Sequence, residues 1–238
     1  RNRAAMLAIP CLPALAFLLP PPLPSPSYPR ARTYMVATSP PATEQLAVRG
    51  VSLQLRQEAM ATIDSGATVW DAGRALSQLL QRAPALEGRR VLELGSGTGI
   101  GGLTAAACGA HAVLTDRAAM LPLLRANIRA NRLEGRATAA ALEWGDAADI
   151  ARAARLASPF DLLLGSDVLY APEAFPDLLE TLVRLSTPGR TEVLLVHPLR
   201  YTESIFFDAA FEYFDELGRP EEVEHAIWAT RLRRRAAQ

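Results

Sequence analysis

A glycine-rich segment directly after an apolar strand constrains the fold of this chain more than any other feature. Residues 91–100 read VLELGSGTGI, so that an apolar run containing the acidic Glu93 leads straight into a loop. Glycines occupy every second position of that loop: Gly95, Gly97 and Gly99. Glycine permits a positive φ and has no Cβ to block a ligand lying against the backbone. Because residues 103–108 are compatible with a helix whose free N–H groups would face the loop, the segment is typical of a nucleoside-binding crossover in a parallel α/β sheet.

A dinucleotide site is the main alternative for this loop. Gly97, Gly99 and Gly102 fit the G-x-G-x-x-G pattern, which by itself is a weak signal. In that fingerprint the first glycine directly follows the strand, and here Gly95 holds that position. Counted from Gly95, the third glycine position is occupied by Ile100. We therefore expect a nucleoside-bearing cofactor other than NAD.

The composition of the chain is that of a globular protein with balanced charge. Its 238 residues are 50% hydrophobic and include 25 basic and 25 acidic residues, so we expect one substantial domain with a short appendage. A formal net charge of zero does not favour a nucleic acid partner. Cys11, Cys108 and the three histidines are scattered without the spacing of metal ligands, so no metal site is expected.

The N-terminal segment differs in composition from the rest of the chain. Residues 6–19 are apolar, but Pro10 and Pro13 interrupt them and the run is too short to span a bilayer. Residues 20–29 are rich in proline, which is incompatible with a helix or a central strand. We therefore expect no stable membrane insertion.

We interpret this segment as a leader. No acidic residue occurs before Glu44, as in a cleavable signal or transit segment; the alternative is an untranslated or disordered leader with Met35 as the true start. Residues 1–45 are therefore assigned to the leader and residues 46–238 to the folded domain. The predicted location is the cytoplasm, or an organelle if residues 1–34 are a genuine targeting segment.

Strand and helix patterns alternate along the folded part. Predicted strands cover residues 46–55 (a hairpin with its turn near Gly50), 91–94, 112–116, 137–142, 160–165, 192–196 and 226–232. Predicted helices cover residues 72–82, 103–108, 120–132, 175–185 and 204–217. Since this alternation has the lengths that right-handed crossovers require, we predict an α/β fold with a doubly wound, mostly parallel seven-strand sheet and helices on both faces.

Acidic and aromatic residues follow the second and third of the central strands. Asp116 closes the second strand, where a carboxylate can accept hydrogen bonds from both hydroxyls of a ribose; the alternative is a helix N-cap. Trp144 follows the third strand and can pack on a purine ring, with Glu143 or Asp146 near its exocyclic amine. A half-buried structural tryptophan is the alternative there.

A second motif, FDLLLGSDVLY at residues 160–170, carries the candidate catalytic residues. The strand would deliver the small Ser166, followed by Asp167 and Tyr170, to the same crevice. Asp167 can orient a cationic substrate, and Tyr170 can offer its ring face or hydroxyl to an amine. The alternative for Asp167 is a cap of the next helix.

Taken together, the motifs resemble methyltransferase family 16, a seven-strand group of class I S-adenosylmethionine-dependent enzymes that includes many protein-lysine N-methyltransferases. The resemblance rests on GATVWDAG (66–73), VLELGSGTGIGGL (91–103), VLTD (113–116), NIRAN (127–131), LEW (142–144) and FDLLLGSDVLY (160–170). It implies S-adenosyl-L-methionine as the cofactor and a D-x-x-Y signature on Asp167 and Tyr170. The predicted cofactor residues are Trp70, Glu93, Gly95, Ser96, Gly97, Gly99, Asp116, Trp144 and Ser166.

The chain departs from the family pattern in two places. Ser166 stands where alanine is common, and residues 197–200 (HPLR) replace a more acidic stretch, although Arg200 matches a frequent arginine. Because that loop would face the substrate, the acceptor is less defined than the cofactor.

The resemblance implies an S-adenosylmethionine-dependent N-methyltransferase that acts on lysine in a protein partner. Methyl transfer from a sulfonium requires alignment of the nucleophile and an uncharged amine, and no metal. A small-molecule methyltransferase on the same fold is an alternative, as is a non-catalytic cofactor-binding scaffold protein. We further expect the protein to be a monomer.

Overall fold

The apolar runs that predict strands form the centre of one mixed sheet. The computed structural model of the protein describes residues 43–58, 65–83, 86–200 and 202–236. Most of the leader predicted for residues 1–45 lies outside these ranges, so its assignment stays a prediction. The strands are β1 (Thr43–Val48), β2 (Val51–Arg56), β3 (Arg90–Leu94), β4 (His111–Asp116), β5 (Ala137–Ala141), β6 (Leu162–Ser166), β7 (Glu192–Pro198), β8 (Phe214–Glu216), β9 (Glu221–Glu224) and β10 (Ile227–Arg234). The helices are α1 (Asp71–Arg82), α2 (Ile100–Ala107), α3 (Leu121–Ala130), α4 (Ala147–Ala157), α5 (Phe175–Leu185) and α6 (Glu203–Ala210).

The main sheet reverses its strand order next to the glycine-rich loop. Its order is β5-β4-β3-β6-β7-β10-β8, with β9 paired to β10. The first five strands in this order, β5, β4, β3, β6 and β7, run parallel to one another. Strand β10 is antiparallel to β7, β8 and β9. The chain adds β4 and β5 on one side of β3 and then returns to place β6 on the other. In open α/β sheets, such a reversal leaves a ligand-binding crevice beyond the carboxyl ends of the strands.

Helices cover both faces of this sheet. Val91 and Leu92 of β3 are both buried but belong to separate cores, because successive residues of a strand point to opposite faces. The core around Val91 includes residues of α1, α2 and α3, and the core around Leu92 includes residues of α4, α5 and α6. A strand buried on both faces requires a near-continuous apolar run. The predicted doubly wound α/β fold is confirmed, although the main sheet within the described residues has eight strands rather than the predicted seven, because β9 also pairs with β10.

The predicted hairpin is also present, and it is attached to α3. Strands β1 and β2 pair with each other in a separate antiparallel sheet. The side-chain amide of Asn131 bonds both backbone groups of Gln54 at 2.7 and 2.8 Å. Asn127 does the same with Arg56 at 2.9 and 3.0 Å, and it also donates to the carbonyl of Thr98 at 2.9 Å. The two asparagines of the NIRAN motif therefore join the hairpin, α3 and the glycine-rich loop.

The helices differ from the prediction in two places. The helix predicted for residues 204–217 ends at Ala210, and Phe214–Glu216 forms β8 instead. Phe214 is fully buried and pairs with Arg234 of β10, so pairing with a distant strand overrides the local helical pattern. Helix α4 was not predicted, although Asp146 caps its N-terminus by accepting a hydrogen bond from the backbone N–H of Asp149 at 2.8 Å. None of the helices within the described ranges is long and apolar enough to cross a membrane.

Candidate active site

A cavity of about 390 Å³ lies at the carboxyl ends of β3, β4 and β6. It is lined by every site residue predicted from the sequence except Glu93 and Gly99. Its walls also include Gly66, Thr98, Arg117, Val168 and Arg200, which the sequence did not single out as site residues. The chain thus brings the glycine-rich loop and the D-x-x-Y motif into one cavity.

Glu93 lies behind the cavity wall, and its predicted contact with the cofactor is not what the structure shows. The strand alternation that buries Val91 against α2 turns the Glu93 carboxylate in the same direction. There it accepts hydrogen bonds from the backbone N–H groups of Gly101 and Gly102, at 3.1 and 3.0 Å. A Cβ on Gly101 would collide with the carboxylate, so glycine is required for this approach. Glu93 therefore holds the first turn of α2 against β3.

Burial has a strong effect on the ionisation of Glu93. Desolvation raises the pKa of this carboxyl to about 7, against the opposing effect of the two backbone hydrogen bonds. A buried carboxylate that binds helix N–H groups is stabilised by them but still carries the cost of leaving water. The interaction between Glu93 and the first turn of α2, which holds the glycine-rich loop in place, is therefore sensitive to pH.

Gly99 also lies outside the cavity lining, so its predicted cofactor contact is corrected as well. Its φ is 86°, and a Cβ there would lie 2.7 Å from Leu114 and 3.0 Å from Leu124. Glycine at this position lets the start of α2 pack against β4 and α3. The reason for this glycine is packing rather than ligand contact.

Gly95 and Gly97 do line the cavity, and each is fixed by a neighbour that is distant in sequence. Both have positive φ, 58° and 55°. A Cβ on Gly95 would lie 3.1 Å from Val168 and 3.2 Å from the ring of Trp144. A Cβ on Gly97 would collide with the backbone carbonyl of Gly66. Glycine therefore permits the positive φ angles of the loop, and the neighbouring residues leave no room for a larger side chain at either position.

Asp116 is oriented by the backbone on both of its carboxylate oxygens. One oxygen accepts from the N–H of Gly97 and the other from the N–H of Arg117, each at 2.8 Å. Burial raises the pKa of this carboxyl, and the two backbone hydrogen bonds oppose that shift. The short helical segment that follows, Ala118–Met120, has no side-chain cap, so the N-cap alternative for Asp116 is wrong.

Trp144 lines the cavity, is half-buried and lies next to Gly95. Of the two neighbouring carboxylates, Glu143 lines the cavity and Asp146 does not. Asp146 caps α4 instead, so its predicted place near an exocyclic amine is wrong. Since Asp146 begins a helix that the sequence analysis missed, the two errors have one origin.

On the other side of the cavity, the end of β6 presents Ser166, Asp167 and Tyr170. The backbone N–H of Asp167 extends the ladder by donating to the carbonyl of Val196 at 2.8 Å, and its φ is 53°, in the left-handed region. Tyr170 lies at the rim with 57% of its surface exposed. The helical segment after it, Pro172–Ala174, has no side-chain cap, so Asp167 does not act as a helix cap.

Arg200 is the charged residue nearest to Asp167 among those that sequence reasoning left out of the site. Its Nη2 atom lies 2.7 Å from Oδ1 of Asp167, and its backbone N–H donates to the carboxylate of Glu203 at the start of α6. The contact does not have the geometry of a hydrogen bond, and among the described residues neither Oδ1 of Asp167 nor Nη1 of Arg200, both buried, has a hydrogen-bond partner. Since both residues line the cavity, these unsatisfied atoms lie close to the space that a ligand would occupy. The only signal in the sequence was the match of Arg200 to an arginine frequent in the family.

The sequence model of a family described as lysine methyltransferase matches residues 48–212. The chain belongs to this family. It is 42% identical over 139 residues to the protein N-lysine methyltransferase METTL21A of Danio rerio, a match that covers 57% of this chain and 62% of that protein. It is 31% identical over 170 residues to the EEF1A lysine methyltransferase 3 of Xenopus tropicalis, covering 69% and 73%. The predicted family is confirmed.

Solved structures of class I methyltransferases share the fold. A 16S rRNA methyltransferase of T. thermophilus, in complex with AdoMet and guanosine, superposes with a TM-score of 0.58 at 19% identity and covers 82% of this chain and 50% of its own. The mitomycin 7-O-methyltransferase MmcR superposes with a TM-score of 0.52 at 13% identity, covering 68% and 54%. At these identities, the likeness extends to the Rossmann-like sheet and no further.

Proposed function

We propose that this chain binds S-adenosylmethionine in the cavity and transfers its methyl group to the side-chain amine of a lysine in a protein partner. The observation that carries the proposal is the meeting of the glycine-rich loop, Asp116 and the D-x-x-Y motif in one cavity at the switch point of the sheet. We propose residues 46–238 as the domain that performs this reaction. Family membership and the named relatives support the lysine acceptor.

The lining of the cavity fits this cofactor. Its volume of about 390 Å³ is within the range of small-molecule sites. Asp116, held by two backbone N–H groups, retains lone pairs for the hydroxyls of a ribose. The ring of Trp144 provides an apolar face for a purine, with Glu143 beside it. When bound, the cofactor supplies an electrophilic methyl carbon on a sulfonium.

The methionine part of the cofactor would lie near the glycine-rich loop. The residues proposed for that contact are Trp70, Gly95, Ser96, Gly97 and Ser166. Glu93 and Gly99 act indirectly, because they fix the loop and the first turn of α2 from behind. The cofactor site thus depends on a supporting layer that does not touch the ligand.

On the acceptor side, the charge of Asp167 is already matched by Arg200. A lysine has to lose its proton before it attacks, and a bare carboxylate would instead hold it as the ammonium. Because Arg200 lies 2.7 Å from Asp167, the pair offers little net attraction for a cation and can still accept a hydrogen bond from a neutral amine. Tyr170 at the rim would align that amine with the methyl carbon.

The test is a labelling experiment with the intact chain. Cofactor carrying a labelled methyl group would be incubated with the protein and either purified EEF1A, which one relative is named for, or a lysate of the source organism. We expect label on lysine in protein, as located by mass spectrometry after digestion, and none with the Gly97→Val variant. Label only in small molecules would identify the small-molecule alternative, and label nowhere would leave a non-catalytic scaffold.

Assembly and location are further proposals. We propose that the protein acts as a monomer in the cytoplasm, or in an organelle if residues 1–34 form a targeting segment. Sedimentation of the purified chain would test the first point. A fluorescent fusion of residues 1–34, compared with one starting at Met35, would test the second.

A further inference from the structure

A second groove, of about 380 Å³, lies beside the candidate active site. Helix α6 forms one wall, and β8 and β10 form the other. Its apolar lining comes from Leu199, Phe207, Phe211 and Trp228. Phe207 and Phe211 are both half-buried and stack on one another with ring centroids 6.2 Å apart. We refer to this feature as the α6 groove.

The described lining of the α6 groove is acidic as well as apolar. It contains three carboxylates, from Glu203, Asp208 and Glu216, and no arginine. Glu203 is buried near His197. Because burial lowers the pKa of His197, the histidine is neutral at neutral pH and does not offset the negative charge of the Glu203 carboxylate. Asp208 and Glu216 are exposed at the rim and have no ion pair within the described part of the chain. An apolar floor with a negative rim complements an apolar side chain flanked by basic ones.

The α6 groove and the candidate active site share a wall. Leu199 lines the groove, and the next residue, Arg200, lines the cavity that contains Asp167. The backbone N–H of Leu199 donates to the carbonyl of Ala226 at 2.9 Å, which ties this wall to the start of β10. Leu199 is 64% exposed, so the ridge between the two sites is itself apolar.

We propose that the α6 groove docks the segment of the protein substrate next to the acceptor lysine, and that this segment carries an apolar side chain beside basic residues. The proposal rests on the proposed function, because only a protein substrate extends beyond the cavity. A chain that places a lysine beside Asp167 continues across Leu199, and its neighbouring side chains reach the groove. Burial of the apolar residue gives affinity, and the rim carboxylates select its basic neighbours.

The chain offers two matched pairs of variants for the test. Leu199→Ser removes an exposed aliphatic side chain from the groove, whereas Ile205→Ser removes one of similar size and exposure, 61%, that lies on α6 outside the lining. Asp208→Arg reverses a charge at the rim. Glu212→Arg makes the same reversal at an exposed position just beyond α6 that does not line the groove. All four positions are exposed, so folding should be preserved, and circular dichroism would check it.

The probes are two short fluorescent peptides, each with one lysine and one leucine, flanked by arginines in one and by glutamates in the other. We expect the arginine peptide to bind the intact chain, as measured by anisotropy, and the glutamate peptide to bind at least about tenfold more weakly. Leu199→Ser and Asp208→Arg should each weaken binding of the arginine peptide by about five- to tenfold. Ile205→Ser and Glu212→Arg should leave it unchanged.

Three outcomes overturn the proposal: equal binding of the two peptides, equal effects of groove and control variants, or no binding of either peptide. Self-association that disappears in Leu199→Ser would identify a second copy of the chain as the occupant and would also overturn it. Calorimetry with S-adenosylmethionine on the same samples distinguishes a failure of the proposed function from a failure of the docking proposal. Absent cofactor binding refutes the proposed function, whatever the peptides do, whereas normal cofactor binding without the peptide pattern refutes the docking proposal alone.

Discussion

On the cofactor side of the cavity the shape is set by backbone, whereas on the acceptor side it is set by side chains that meet beyond the ends of the neighbouring strands β6 and β7. The glycine-rich loop is enclosed by Gly66 and held by Asp116, and Glu93 supports it from behind. The acceptor side consists of Asp167 and Arg200, whose charged atoms are incompletely satisfied. Substitutions on the first side should therefore change cofactor binding or stability, and substitutions on the second should change turnover.

The largest effect is expected from Gly97→Val. The new side chain would collide with the carbonyl of Gly66 at a positive φ, so the loop has to move and cofactor binding should be abolished in calorimetry. Gly50→Val is the control, because Gly50 also has a positive φ, 83°, but has no neighbour within 4 Å of a built Cβ. The control should lose about 1–3 kcal/mol of stability and keep its cofactor affinity. Normal binding by Gly97→Val would show that the loop does not define the site.

Glu93→Gln tests the supporting layer. Glutamine accepts through one oxygen only, so either Gly101 or Gly102 loses its partner, at a cost of about 1–3 kcal/mol in the free energy of unfolding. Between pH 4.5 and about 7, folded Glu93 keeps a proton that the unfolded chain has lost, so raising the pH lowers the stability of the unmodified protein. Summed over this window, the loss is about 3 kcal/mol.

The Glu93→Gln variant has no carboxyl group to titrate at this position. The amount by which it is less stable than the unmodified protein should therefore shrink or reverse as the pH rises from 4.5 to about 7. Urea denaturation at pH values below 4.5 and above 7 would measure the difference. Taking the difference between the two proteins removes the contribution of Asp116, whose pKa is also raised, apart from its small coulombic coupling to Glu93. A deficit that is constant with pH would contradict the assignment of the buried titration to Glu93.

Asp116→Ala is expected to weaken cofactor binding by about 1.5–3 kcal/mol, the usual contribution of a hydrogen bond to a charged group. The variant also removes the carboxylate that accepts from the N–H groups of Gly97 and Arg117, but the fold should survive, since Asp116 is only half-buried at a strand end. Asp215→Ala, which removes a carboxylate that is 63% exposed, is the control and should bind normally. If Asp116→Ala unfolds while its folded fraction binds normally, the aspartate has only a structural role.

A smaller effect on cofactor affinity, with a clear effect on turnover, is expected from Asp167→Ala and Tyr170→Ala. These residues would act on the amine, so their loss should lower kcat about tenfold or more and leave the cofactor Kd within about twofold. Kinetics on the methylated protein and calorimetry with the cofactor measure the two quantities separately. Equal losses in both would place these residues on the cofactor side.

Arg200 should have the smallest effect on the cofactor and a distinctive effect on pH dependence. In Arg200→Gln the carboxylate of Asp167 loses its cation, so it should hold the acceptor lysine as the ammonium and raise the pKa of that lysine. Turnover should then need a higher pH, and Arg200→Lys should restore the original profile. An unchanged pH–rate profile in Arg200→Gln would show that the ion pair is only structural.

Features with local determinants could be predicted from the sequence. The unit of β3, loop and α2 was recognised because its apolar run, alternate glycines and following helix are consecutive. The hairpin was recognised from alternation around Gly50. The end of α6 was not, because Phe214 fits a helical pattern and its position is decided by pairing with Arg234 of β10. The missed helix α4 led directly to the wrong role for Asp146.

By itself, the sequence determined the doubly wound sheet and the family, and it supplied a set of candidate site residues, most of which line the cavity, because strand ends and glycines act through local backbone geometry. Only the tertiary structure decided what each member of that set does. Glu93 and Gly99 proved to be supports, since strand alternation and helix packing turn them away from the cavity. Arg200 joined the site because the segment after β7 brings it to within 2.7 Å of Asp167 at the end of β6, a side-chain contact that no local pattern in the sequence indicates.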